Sequence, residues 1–246
     1  MTNPIRHHYI PQFYLKRWLN SESILYVYVK GKTEPLKIPE NSIINFCQEK
    51  YLYSIPSIAP DNPTKIEKEW AAPIDAQASG VIDKFNSGKV ENLTDAERLS
   101  WANFCATLWY RSPKGLKYIS QKTIKNPLSY FLSDVRKKDL PAYTLPKLNY
   151  LESKNIFTGL NWFVSTTEDE LLIGDTLPIF NMDVNNKWYV YLPICPNKIF
   201  YASLNDNQKF YDRNRREYNK WIVQNAERFV FANSRKNEEF ILKYLK

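Results

Sequence analysis

Both histidines of this 246-residue chain stand side by side, at His7 and His8, and are followed by Tyr9, Pro11, Gln12 and Leu15. Neutral imidazole ligates metals and takes protons near pH 7. Adjacent residues of an extended strand point to opposite faces, so one of the two enters any given site. The alternative is a histidine hydrogen-bonded as an N-terminal anchor. A second group is the set of carboxylates Glu67, Glu69, Asp75 and Asp83. From Glu67 to Asp75 a helix turns about 80° beyond two full revolutions, which leaves the pair near one face if Pro73 does not break it. Trp70, Ile74, Ala78 and Ile82 mark the apolar stripe beside them, and a solvated acidic face is the competing reading. Third, Gly174-Asp175 follows the apolar Leu171-Leu172-Ile173 and precedes Pro178. A carboxylate at a strand end suits a metal or catalytic site and equally a plain turn. Fourth, Arg111 precedes Ser112-Pro113, where a cation complements the helix dipole or recognises an anion.

None of these forms a familiar catalytic signature. There is no GxSxG, HExxH or HxE with PCxxC. The six glycines show neither GxGxxG nor Walker spacing, which excludes the common nucleotide-binding loops. Cys47, Cys105 and Cys195 are odd in number, far apart and without CxxC. That excludes a zinc ribbon or a disulfide scaffold and suits buried thiols in a reducing compartment. The N-terminus has no leader-like apolar stretch and no window approaches 18 apolar residues, so a cytoplasmic protein with no membrane partner is expected.

The elements that must position these residues follow from periodicity. Residues 24–30 alternate as a strand ending at Gly31, residues 43–55 read as short strands or a strand and turn, and Pro56, Pro60 and Pro63 mark a loop. Thr64-Lys65-Ile66-Glu67 and Thr94-Asp95-Ala96-Glu97 have the capping-box pattern. The first predicts a helix to about Phe85, kinked or restarted at Pro73. The second predicts a helix to about Tyr110 with Leu99, Ala102, Ala106 and Trp109 on one face. Residues 114–139 read as further helix broken at Pro127, and 140–154 as a connection. Strands are expected at 162–166, 171–174, 188–192, 199–202 and 228–232, with helices at 212–225 and 238–245. The order predicts an α+β fold, a mostly antiparallel sheet with a helical middle and a C-terminal helix. We expect one domain over 1–246: strand-rich 1–60, helical 64–139, strand-rich 156–203 and helix-strand-helix 212–245.

The chain carries 34 Lys and Arg against 26 Asp and Glu, a net charge of +8. Residues 111–154 hold ten basic and three acidic side chains, with Arg136-Lys137-Lys138 and the aromatics Tyr118, Tyr130 and Phe131. Such a segment suits a nucleic-acid backbone, or is a solvated basic face.

Arg6-His7-His8-Tyr9-Ile10-Pro11-Gln12-Phe13-Tyr14-Leu15 resembles the opening of a bacterial and phage domain-of-unknown-function family whose signature is His-Tyr-x-Pro-Gln-x-x-Leu. Further landmarks occur in order. Cys47–Tyr53 resembles a segment ending in Leu-Tyr; Glu67 or Glu69, then Asp75, resemble two helical acids; Arg111-Ser112-Pro113 resembles Arg-x-Pro. Gly174–Pro178, Tyr191–Pro196 and Asn225-Ala226 resemble a Ser-Asp-x-Pro turn, a Pro-Leu-Ser-Pro strand and an Asn-x-x-Ala position. The resemblance implies a shared pocket of His, Gln, acid and Arg, with His8 rather than His7 as its histidine. It supplies no established reaction.

Two functions are therefore expected as alternatives. One is a phosphodiester hydrolase, a nuclease of a toxin, defence or phage-conflict system. In it His8 is general base or metal ligand, Gln12 and Arg111 join the catalytic set, and His8, Asp75 and Asp175 hold Mg²⁺ or Mn²⁺. The other is a non-catalytic nucleic-acid or nucleotide binder that stacks bases on Trp101, Trp109, Tyr118 and Tyr130.

Overall fold

The structure, a computed structural model, describes residues 6–54, 61–62, 64–87, 90–124, 145–146, 154, 159–182, 188–203 and 215–246. It opens with β1 (Arg6–His8), α1 (Gln12–Leu15) and a 3₁₀ turn at Lys16–Trp18. Then come β2 (Ile24–Val29), β3 (Leu36–Pro39), a 3₁₀ turn at Glu40–Asn45 and β4 (Gln48–Lys50). The helical middle holds α2 (Ala72–Asn86), α3 (Asp95–Tyr110) and α4 (Pro113–Ile124). Strands β5 (Asn161–Thr166), β6 (Ile173–Gly174), β7 (Ile179–Met182), β8 (Trp188–Cys195) and β9 (Lys198–Ser203) follow. The chain closes with α5 (Arg215–Asn225), β10 (Phe229–Ala232) and α6 (Glu238–Tyr244).

The fold is α+β with antiparallel sheets, as the element order predicts. The described strands form a pair β1-β4 and two four-stranded sheets, β3-β2-β10-β6 and β5-β9-β8-β7. Every described ladder is antiparallel. Gly31 stands at φ +81°, a left-handed turn conformation open to glycine at no steric cost. One apolar cluster runs from Tyr9 to Leu245 and takes in side chains of both larger sheets and of α2, α3 and α5. Its centre is aromatic: Phe85, Trp101, Phe104, Trp162 and Phe200 meet edge-on, stacked or tilted at centroid separations of 4.9–5.5 Å. No described helix is long and apolar enough to cross a membrane.

Two local expectations change, at Thr64 and Leu99, and two are made specific, at Pro73 and after Ile43. The Thr94 capping box closes on Glu97, but Thr64 caps nothing with its side chain: its hydroxyl bonds Asn62, and Glu67 turns into the protein instead. Pro73 has no N–H to close the α-helical bond to the Glu69 carbonyl. The turn before it, Glu67–Ala71, is wound as π-helix, with the Ala72 N–H reaching Glu67 O five residues back. On α3, Leu99 is exposed while Trp101, Ala102, Phe104, Cys105, Ala106 and Leu108 are all buried, so this helix is apolar around most of its circumference. Residues 43–54 hold one three-residue strand between a 3₁₀ turn and a turn, with positive φ at Cys47 (50°) and Tyr51 (56°). The predicted helix beyond Ile124, with Pro127, lies outside the described residues, as does 212–214.

Candidate functional site

Strand β1 pairs with β4 in the register His7↔Glu49 and His8↔Gln48. The strand alternation separates the two rings. His7 is fully buried: its ring stacks on Tyr53 at 4.9 Å, and its Nδ1 accepts the Tyr53 N–H at 3.2 Å. His8 is half-buried and bonds the Ile44 carbonyl through Nε2 at 3.0 Å. A carbonyl only accepts, so Nε2 carries the proton and a neutral His8 keeps Nδ1 as a free base. Burial lowers its pKa from the ordinary histidine value. The Tyr53 hydroxyl ties the two faces together by donating to the His8 carbonyl at 2.7 Å.

Arg111, at the C-terminal end of α3, is fully buried. Its guanidinium grips Asp75 on α2 in a two-pronged pair, Nη1–Oδ2 3.0 Å and Nη2–Oδ1 2.9 Å, and its Nε donates to the Tyr9 carbonyl at 3.1 Å. It therefore clasps α2, α3 and the N-terminal segment. Burial pushes the Asp75 carboxyl up and the paired guanidinium works against that; the field of both reaches His8.

Glu67 sits on the π turn within the field of Arg111 and Asp75. Burial pushes its carboxyl up to about 7, and its Oε2 is buried with no hydrogen-bond partner among the described residues. Turns of π-helix and carboxyls held near neutrality both recur at functional sites. His7, by contrast, is pushed down to about 4 by burial and the neighbouring His8. The cluster of His7, His8, Tyr53, Glu67, Asp75 and Arg111 is the candidate site.

The chain matches the family described as protein of unknown function (DUF4238) over residues 6–236. It belongs to that family. No curated protein and no solved structure matches it.

The expected pocket of five is gathered in part. His8, Asp75 and Arg111 come together. Asp175 does not join them: its carboxylate accepts the N–H groups of Glu227 at 2.7 Å, Arg228 at 2.7 Å and Phe229 at 3.1 Å, which caps the turn between α5 and β10. It lies instead toward the Tyr9 phenol and Cys47 thiol, whose ionisation its charge opposes. Gln12 lies in a separate hollow of about 540 Å³, with Lys16, Ser23, Asn41 and Ile44. Arg111 has no exposed surface with which to meet a phosphate, and its guanidinium is taken up by Asp75 and the Tyr9 carbonyl. His8, Asp75 and Asp175 do not form a ligand set, and among the described residues no three His, Cys, Asp or Glu side chains stand together to hold a metal. Of the stacking candidates, Trp101 is fully buried, Trp109 half-buried, Tyr118 exposed, and Tyr130 lies outside the described residues.

Sequence reasoning missed Tyr53, set His7 aside in favour of His8 and left Glu67 unresolved among three acids. Tyr53 closes the Cys47–Tyr53 segment on which the resemblance drew. The signal for Glu67 was Pro73, which unwinds the helix where that carboxyl must turn inward.

Proposed function

We propose that the protein is an acid–base phosphodiester hydrolase, a nuclease, working at the His8–Glu67–Asp75–Arg111 cluster. The observation that carries this reading is Glu67, a carboxyl held near neutrality and without a partner on one oxygen, in the same field as an imidazole with a free nitrogen. Two titratable groups whose environments push them apart are the usual mark of an acid and its base. His8 Nδ1 takes the proton of the attacking water as its oxygen bonds phosphorus. The P–O bond to the leaving group breaks, and that oxygen departs with the proton of neutral Glu67. Asp75 and Arg111 hold β1 and the π turn in register. The net charge of +8 and the basic segment that begins at Arg111 favour an anionic polymer as substrate.

The test is digestion of plasmid, single-stranded DNA and total RNA with Mg²⁺, Mn²⁺ or EDTA. His8→Ala and Glu67→Gln should each lower kcat/KM by about 10²–10⁴, the usual worth of a general acid or base. The profile of kcat/KM should fall above about pH 7 as Glu67 ionises, and Glu67→Gln should abolish that fall. Cleavage that survives both substitutions overturns the reading.

The exposed Tyr118 on α4, within the basic segment, favours a second reading, a nucleic-acid binder without chemistry. Binding that drops steeply between 50 and 200 mM salt in protein that cleaves nothing would select it.

A further inference from the structure

A hollow of about 710 Å³ shares no residue with the His8 cluster. Its wall comes from the Glu168–Glu170 turn after β5, the Pro196-Asn197 turn between β8 and β9, Asn219 of α5, and the stretch from Asn233 into α6. That volume is of the size that takes a small molecule. Glu170 holds the frame together. Its carboxylate accepts the N–H groups of Asn233 at 2.5 Å and Ser234 at 2.9 Å, the Ser234 hydroxyl at 2.7 Å and Asn237 Nδ2 at 3.3 Å. Its carbonyl accepts Asn219 Nδ2 at 2.8 Å. The Asn197 carbonyl takes the Thr167 N–H at 2.8 Å, which ties the two turns to each other. The wall is thus fixed by the fold itself. The groups it leaves over are polar in both senses. The exposed carboxylates of Glu168 and Asp169 accept from nothing among the described residues, nor do Oδ1 of Asn233 and of Asn237. Asn197 Nδ2 and the Lys236 ammonium group donate to nothing among them. Asn219 is 7% exposed, and only one of its two amide hydrogens is used, by Glu170. Phe240 adds an apolar surface to the wall.

These leftovers select among ligands. A phosphate or carboxylate would bring its charge against two free carboxylates with only Lys236 to balance them. An ammonium ion only donates, and would leave the donors of Asn197, Asn219 and Lys236 unmet. A sugar meets both sets, because every hydroxyl donates and accepts, and its C–H face can lie on an aromatic ring. We infer that this hollow binds a neutral saccharide. Glu168 and Asp169 accept from its hydroxyls, Asn197, Asn219 and Lys236 donate to its oxygens, and Phe240 packs on its apolar face. The site stands apart from the proposed hydrolysis and needs no turnover.

The test is saturation-transfer NMR on the full chain with glucose, galactose, N-acetylglucosamine and ribose, and with spermidine and inorganic phosphate as the rival chemistries. At least one of the four sugars should bind with a Kd of about 1 mM or below. Removing both carboxylates, in the Glu168→Ala and Asp169→Ala double variant, should weaken that sugar by about tenfold or more. Both side chains are exposed, so the thermal melt of this variant should match the wild type. Asp169→Asn, which keeps the side chain's size, gives a second reading of the same loss should the double variant melt early. Phe240→Leu should weaken the sugar as well. No binding of any of the four sugars, binding of spermidine or phosphate in their place, or sugar binding indifferent to every one of these substitutions overturns the inference.

Discussion

His7 and Glu67 titrate in opposite senses, and their combined effect on stability can be worked out. His7 is held down to about 4 in the fold against 6.5 for the free group. Between those values the unfolded chain binds more protons, so stability grows as pH rises and is lost as pH falls through 4. Glu67 is held up to about 7 against 4.5. There the folded chain binds more protons, so the stability present below 4.5 is lost as pH rises to 7. The two slopes oppose each other between 4.5 and 6.5. Urea midpoints of Glu67→Gln should therefore climb more steeply with pH over that window than those of the wild type. His7→Phe should make them decline. Parallel profiles for all three proteins would mean that neither group is perturbed as described. Tyr53→Phe tests the link between the two histidine faces: losing its bond to the His8 carbonyl should cost about 1 kcal/mol.

At the scale of elements, helix ends decide the site. The Thr94 capping box starts α3 sixteen residues before Tyr110, which fixes where Arg111 emerges. Thr94→Ala should cost about 1 kcal/mol, read by thermal melting, with the site geometry intact. Gly115 is less forgiving. A Cβ there would stand 2.1 Å from the Trp109 carbonyl oxygen, backbone that cannot move aside. Gly115→Ala should push α4 off the end of α3 and destabilise by about 3 kcal/mol or more. The start of α3, the strand at Ile24–Val29 and the last strand and helix were legible because caps, glycines and period carry them locally. Strand β1 was not, since its hydrogen bonds come from β4, over forty residues away. Nor was the inward Glu67: its pattern reads as a capping box, and only the tertiary cluster withdraws it. Cys47 and Tyr51 at positive φ set the turns that bring Tyr53 to His7, a conformation that neither residue type announces.

Across the whole molecule the N-terminal segment is the common wall. Trp18 Nε1 donates to the Leu171 carbonyl at 2.8 Å, the Tyr14 hydroxyl donates to Pro193 O on β8, and Asn233 Nδ2, just past β10, donates to Leu19 O at 2.9 Å. Arg17 meets Asp83 on α2, and Tyr9 O takes Arg111. The segment that carries both histidines thus touches both larger sheets and the helical middle, so site and core are coupled. Asp175 separates these roles. It is 4% exposed, and its two oxygens serve three backbone N–H groups at the entry to β10, the strand between β2 and β6. Asp175→Ala leaves the buried Phe229 N–H unmade, at about 1–3 kcal/mol, and gives the part-buried Glu227 and Arg228 N–H groups over to water. The urea midpoint should fall accordingly, while cleavage or binding per folded molecule stays at the wild-type level, because the carboxylate serves the entry to β10 and not the His8 cluster. Asp75→Asn makes the contrast. It strips the buried guanidinium of its counter-charge, which costs about 3–5 kcal/mol when a buried pair is broken, and it also loosens the element that carries Glu67. Stability and per-molecule activity should therefore fall together in Asp75→Asn and separately in Asp175→Ala. Full stability with lost activity in Asp175→Ala would return that carboxylate to the site.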